Sequence, residues 1–222
     1  MPERPSRLRP MPNLPVSGSA TAGAFRLDHD IRKRQAAEAC ARLIATRGYA
    51  ETSIRDVAGE VGISTGTLLH HFGSKDQLLT ATLVLVSEAF MDRMRAATAR
   101  TEGPVQRLRA VVRSLLARSP EADLGWRVWI AFWHEAAIKP DLASVASAMT
   151  DESENFIAAI IAEGAEKGLF NCARPQESAA ELAALIDGVA IRLYGETGRW
   201  SHERARKLVD NLIDDWTIAT SA

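Results

Sequence analysis

A chain of 222 residues is long enough for one large domain or two small ones, and at 46% apolar with 6% aromatic it can bury a substantial core. Its abundant Ala, Leu and Arg favour helix, and it has no run of about eighteen apolar residues of the kind that crosses a membrane. The net charge is only −1, but residues 1–79 hold 11 Lys/Arg against 8 Asp/Glu and residues 80–222 hold 16 against 20, so the basic balance lies early in the chain, as phosphate binding would require.

Met1 to Ala24 contain five of the nine prolines and show no apolar periodicity, so this segment is expected to be a disordered tail. It lacks the apolar central run of a secretory signal. Arg4, Arg7 and Arg9 suit either a flexible basic arm on DNA or a merely solvated tail. A first helix is predicted from Asp28 or Asp30 to Arg47, with the acids at its positive end and Gly48 as its stop. Ala36, Cys40, Leu43 and Ile44 form its apolar face. Cys40 and Cys172 have no metal-ligand spacing, and two such thiols suggest a reducing cytosol rather than a disulfide framework.

The next stretch, Thr52 to Leu79, is the most informative. Ser53, Ser64 and Ser74 are each placed to cap the first turn of a helix. Gln77, three residues after Ser74, completes a capping box, and Asp56 after Ser53 forms a weaker one. Helices are predicted over Ile54–Val61 and Thr65–Phe72, with a third starting at Lys75. Gly62 stands where the turn needs positive φ, and Ala58 is small enough for a close crossing. Val57, Ala58, Val61, Ile63, Leu68 and Phe72 would be buried. The pattern is a helix-turn-helix, which lays its second helix in a DNA major groove.

Residues 31–79 resemble the DNA-binding domain of TetR-type repressors. The match is carried by Gly48-Tyr49, Thr52-Ser53, Ala58, Gly62, Gly66-Thr67-Leu68, His71-Phe72, Lys75 and Leu78. The resemblance implies that Thr65 and Thr67 reach base edges, that His71 and Lys75 hold phosphates, and that Gly66 lets the backbone approach DNA. Ser53, Arg55, Ser64 and His70 complete the implied DNA-binding set. Leu69 departs from the pattern, which often has Tyr there; its lost hydroxyl removes a phosphate bond, and its apolar side chain suits a thymine methyl.

Beyond Lys75 an apolar period runs through Leu78, Leu79, Leu83, Val86, Phe90 and Met94 to about Arg100, predicting one long helix. Pro104, Pro120, Pro140 and Pro175 divide the remainder, because proline is tolerated in a first helical turn and disfavoured inside. Helices are expected near 104–118, 123–138, 140–168, 175–195 and 201–218. The fold class is all-α with about nine helices: a tail over 1–24, a DNA-binding domain over 25–79, and a helical effector-binding and dimerisation domain over 80–222.

Trp126, Trp129 and Trp133 stand at i, i+3 and i+7 with Phe132 beside them, a stripe that suits either core or a ligand cavity. The segments from Gly125 to Leu142 and from Leu182 to Glu196 resemble the C-terminal domain of BetI-type regulators, over roughly residues 105–213. That likeness implies an internal effector pocket, with Trp129, Trp133, Phe90, Met94 and Asn155 as its wall. Tryptophan faces attract quaternary ammonium groups, and Glu135, Asp187 or Glu152 would supply a compensating charge. The expected ligand is a small-molecule effector, with an organic cation, of the choline or betaine kind or another, as its specialisation; the likeness implies the pocket and not the effector's identity.

Ala179, Ala183, Leu185, Ile186, Val189 and Leu193, with Gly188 allowing close approach, offer an apolar surface that Leu208, Leu212, Ile213 and Trp216 continue. The resemblance implies a homodimer through these last two helices, with Leu185, Gly188, Val189, Leu208 and Leu212 at the interface. Such a dimer presents two recognition helices to a palindromic double-stranded DNA operator. No catalytic constellation is visible. HExxH, the P-loop and GxSxG are absent, and the adjacent His70 and His71 diverge by about 100° on a helix, a poor metal pair. No cofactor or metal is expected. The competing class is a helical protein-interaction adaptor without operator binding.

Overall fold

A computed structural model describes the backbone of residues 18–195 and 199–218 and the side chains from residue 31 onward within those bounds. Arg4, Arg7 and Arg9 lie outside the described residues. Helix α1 spans Gly18–Arg47, α2 Ile54–Val61, α3 Thr65–Phe72 and α4 Lys75–Ala99. These are followed by α5 Pro104–Leu115, α6 Pro120–Ala136, α7 Pro140–Glu166, α8 Pro175–Gly195 and α9 His202–Trp216. The first helix therefore begins ten residues before the predicted Asp28, inside the segment expected to be disordered. After Pro15 the next proline is Pro104, and alanine, frequent in the stretch that follows Pro15, is the strongest helix former.

The local reasons for the remaining boundaries are visible in the caps. Ser53, Ser64, Ser74, Ser119 and Ser201 each accept a backbone N–H of the turn they precede. Prolines open α5, α6, α7 and α8, where a missing N–H costs no helical bond. Gly62 has φ +74, the left-handed conformation that stops α2 and sets the turn into α3. Among the described residues the sole β-type pairing is an isolated bridge between Phe170 and Thr217, which ties the end of α9 to the α7–α8 connection.

α2 and α3 pack with α1 and the start of α4 into a small helical unit. α4 then leaves that unit and is sandwiched against α5, α6 and α7, with α8 and α9 closing the far side. One apolar core runs through both regions, from Cys40 and Ile44 through Leu79, Leu83 and Met94 to Ile161, Leu182 and Ile186. The α4 helix thus shares its buried face between the two parts. Because burial rather than propensity holds long helices in place, a displacement at one end of α4 is felt at the other.

Candidate functional site

The helix-turn-helix presents a polar face on an apolar anchor. Leu68 and Phe72 are buried while Thr65, Gly66, Leu69 and His70 are exposed and Thr67 and His71 half-buried. Ser64 Oγ accepts from the Thr67 N–H at 3.0 Å and lies 2.8 Å from the Thr67 hydroxyl, which fixes the Thr67 side chain at the first turn. Ser53 caps α2 reciprocally with Asp56, whose carboxyl these hydrogen bonds hold below its usual range. Arg55 projects into solvent beside them. A Cβ built on Gly66 would meet only Ser64 Oγ, at an ordinary 3.7 Å, so nothing within the chain requires glycine there.

Without DNA, Lys75 is engaged within the chain. Its ammonium donates to the Tyr49 carbonyl at 2.8 Å and sits 4.1 Å from the centre of the Tyr49 ring. Around that pair lies a polar junction that the sequence did not announce. The Tyr49 hydroxyl donates to Asp76 Oδ1 at 2.5 Å, and Lys139 Nζ reaches the same oxygen at 2.8 Å and Glu135 at 3.1 Å. Lys139 holds the Asp76 carboxyl below the usual carboxylate range, and its own ammonium is raised by that contact. The junction joins the α1–α2 loop and the first turn of α4 to the far end of α6.

α6 also supplies one wall of a largely apolar, partly open cavity lined by α4, α5, α6, α7 and α8. Phe90, Met94, Trp126, Trp129 and Met149 form its apolar lining, and Ser87, Thr150 and Asp187 its polar part. It offers about 70 Å³ to water-sized centres, room for a few waters or one small organic molecule, since a single water needs ~10–15 Å³ of such space. Phe90 and Trp126 meet at a tilt of 57° with 5.2 Å between ring centres, and Gly125 leaves room for this: a Cβ there would stand 3.0 Å from Phe90 Cζ. The Trp126 indole N–H is satisfied by the Leu115 carbonyl at 2.8 Å.

Asp187 gives the cavity its charge. Burial together with the neighbouring Glu154 raises its carboxyl to about 6, with Trp129 beside it opposing the shift. Of the three acids the sequence offered as a compensating charge, Glu135 is paired with Lys139 and Glu152 with Arg95 at 3.0 Å. Only Asp187 lines the cavity.

Several expected side chains lie elsewhere. Trp133 is 40% exposed and meets Trp129 edge-on from outside the cavity, at 6.0 Å between ring centres. A seven-residue step turns it about 20° from Trp126 on an ideal helix, but two turns further along α6 it lies beyond the cavity lining. Asn155 is exposed, because on α7 the cavity side is taken by Met149, Thr150, Ser153 and Ile157. Val189 is buried in its own chain at 2% exposure, as are Ala179, Ile186 and Ile213, so these belong to the internal core rather than to a partner surface. What α8 and α9 leave outside is a strip of Gly188, Ile191 and Leu208, with Leu185 and Leu212 half-buried along its edge.

Residues 37–82 match the N-terminal domain profile of bacterial regulatory proteins of the tetR family, and residues 104–217 match the BetI-type transcriptional repressor C-terminal domain. The chain is 30% identical over 200 residues to the HTH-type transcriptional regulator PksA of Bacillus subtilis, covering 85% of this chain and 91% of that protein. It is 32% identical over 186 residues to the HTH-type transcriptional regulator BetI of Burkholderia thailandensis, covering 83% and 93%. Among solved structures, a transcriptional regulator from Saccharomonospora viridis in complex with choline superposes with a TM-score of 0.74 at 30% identity, covering 82% of this chain and 95% of that one. A TetR-family regulator from a Rhodococcus species shares the fold with a TM-score of 0.76 at 24% identity, covering 84% and 98%.

Proposed function

The chain belongs to the TetR family of DNA-binding transcriptional regulators, with a C-terminal domain of the BetI type, and from that premise we propose that it is a homodimeric repressor released from its operator by a small organic cation. The observation that carries the ligand class is the half-buried Asp187 carboxylate, which lines a cavity together with Trp129, Trp126 and Phe90. A carboxylate in apolar surroundings is costly to ionise, and a cation beside it offsets that cost while the ring faces add cation–π attraction. The choline held by the Saccharomonospora viridis regulator is of this chemical class.

The operator reading rests on the exposed Thr65, Gly66, Leu69 and His70 together with half-buried Thr67 and His71, flanked by Ser53, Ser64 and Arg55. Lys75 positions Tyr49 and the first turn of α4, and in a complex its dipole end and ammonium stand beside a phosphate. A second copy of the chain covers the strip of Gly188, Ile191 and Leu208, which sets two recognition helices facing a palindrome. The regulator works in the cytoplasm, where its DNA is, and no described helix is long and apolar enough to cross a membrane.

The cavity communicates with the DNA-binding unit along two helices. α4 carries Phe90 and Met94 at the cavity and Lys75 at its start; α6 carries Trp126 and Trp129 and ends at the Lys139–Asp76–Tyr49 junction. A ligand that favours the arrangement with displaced recognition helices lowers operator affinity by its differential affinity alone.

A gel-shift against palindromic DNA upstream of its own coding region, with choline as probe, tests the proposal. Wild type is expected to shift the fragment as a dimer and to release it as choline rises. Asp187→Asn is expected to shift it equally and to resist release. No shift with any such fragment, or equal release of the Asn variant, would overturn it.

A further inference from the structure

The outward faces of α8 and α9 carry their charges in a definite order. On α8 an exposed stripe runs through Glu181, Ala184, Gly188 and Arg192, and on α9 through Arg204, Leu208, Asn211 and Asp215. Each stripe has an acid and a base eleven residues apart, about three turns, and hence on one side of its helix. The two helices run antiparallel. The Asn171 N–H, just before α8, donates to the Trp216 carbonyl at 2.8 Å, and at the other end the Tyr194 and His202 rings lie 6.4 Å apart. Glu181 and Asp215 therefore share one end of the face, and Arg192 and Arg204 the other. α9 reaches this order against its own dipole: Arg204 stands in its first turn and Asp214 and Asp215 in its last, where the opposite signs would stabilise the helix. Glu177 and Asp214, at the acidic end, are already paired with Arg174 and Arg109, and Glu203 points about 100° round α9 from Arg204. Midway along the face, a Cβ built on Gly188 would meet nothing within 4 Å, so the space over it is open to another chain.

We infer that this face is self-complementary by charge: it takes a second copy of the chain turned end for end, and it rejects partners that lack the same order of charges. The inference rests on the homodimer reading above and adds how the copies recognise each other. In that alignment Glu181 and Asp215 of one copy face Arg192 and Arg204 of the other, and a twofold axis near Gly188 repeats the match at the far end. With the copies side by side in the same direction, acids would meet acids and bases would meet bases, a cost that grows as water leaves the interface. The apolar contact of Gly188, Ile191 and Leu208 has no preferred direction, because burial of apolar surface is non-directional. Charge at the two ends supplies the direction. The reversed order on α9 then has a reason: an antiparallel helix pair can show one sign at each end only if one helix carries its charges against its dipole.

Sedimentation analysis of the full chain tests the assignment. Wild type is expected to be a dimer at micromolar concentration. The double variant Glu181→Arg, Asp215→Arg has bases at both ends of the face, and Arg192→Glu, Arg204→Glu has acids at both. Each is expected to dimerise about tenfold or more weakly than wild type. The loss is expected to shrink at about 1 M salt, where the Debye length is ~3 Å. The two double variants mixed together are expected to pair, and the variant with all four reversals is expected to dimerise as wild type does. Differently tagged copies, mixed and left to exchange, read the selectivity: the fourfold variant is expected to pair with itself and not with wild type. The changes on α9 bring its charges into line with its dipole, so a lost dimer is not a lost fold, and far-UV circular dichroism checks this. Unchanged dimerisation of both double variants, or free mixing of the fourfold variant with wild type, overturns the charge assignment and leaves the homodimer standing. A monomeric wild type overturns both.

Discussion

At the scale of single residues, the carboxyl of Asp187 lies near 6 because burial and the neighbouring Glu154 oppose its ionisation. Glu154 is itself raised by burial and by Asp151, so the charges facing Asp187 are of its own sign. An acid whose folded value exceeds its unfolded value of ~3.9 binds its proton more tightly when folded. The ligand-free protein therefore loses this part of its stability as pH rises from about 4 through 6, and a bound cation restores it. Cation affinity moves with the charge. Tetramethylammonium is expected to bind roughly tenfold more weakly at pH 5 than at pH 7.5, in titration calorimetry, and Asp187→Asn to bind weakly at both. A flat profile in wild type would remove Asp187 from the site. Before the fold is known, Asp187 is one of three candidate acids, and nothing in the local sequence ranks them. The ranking comes from Lys139 and Arg95, partners four and 57 residues away that pair with the other two.

At the scale of elements, serine caps, prolines and Gly62 place α2 to α9 to within a few residues of where they stand. Those signals act within one helical turn, and sequence carries them directly. Which face of a helix meets which neighbour is a long-range matter. Val189 and Ile186 therefore read as partner surface when they fill their own chain's core, and Trp133 reads as cavity wall when it lies outside. The junction between α6 and the DNA-binding unit was invisible for the same reason: Tyr49, Asp76 and Lys139 are joined across 27 and 63 residues. Lys139 and Asp76 are substantially exposed, so the ion pair itself stabilises by no more than ~1 kcal/mol. Its consequence is directional. Lys139→Met is expected to leave the melting temperature within a few degrees of wild type and choline affinity unchanged, while reducing the factor by which choline weakens operator binding. An unchanged factor in fluorescence anisotropy would show that the coupling runs through α4 alone.

At the scale of the whole molecule, the proposed dimer has two binding events that oppose each other. α4, 25 residues long, spans ~37 Å from the recognition unit into the effector domain, and the core is continuous along it. A packed core has few alternative arrangements, so a ligand wedged between α4, α6 and α7 selects among them rather than bending one. Such coupling is reciprocal: whatever factor choline applies to operator affinity, the operator must apply to choline affinity. The most direct measurement is the choline affinity of the free dimer and of the dimer saturated with operator DNA, by titration calorimetry in the same buffer. Bound operator is expected to weaken choline binding by the same factor, on the order of 5–150-fold, by which choline weakens operator binding. Equal choline affinities with and without operator would contradict it.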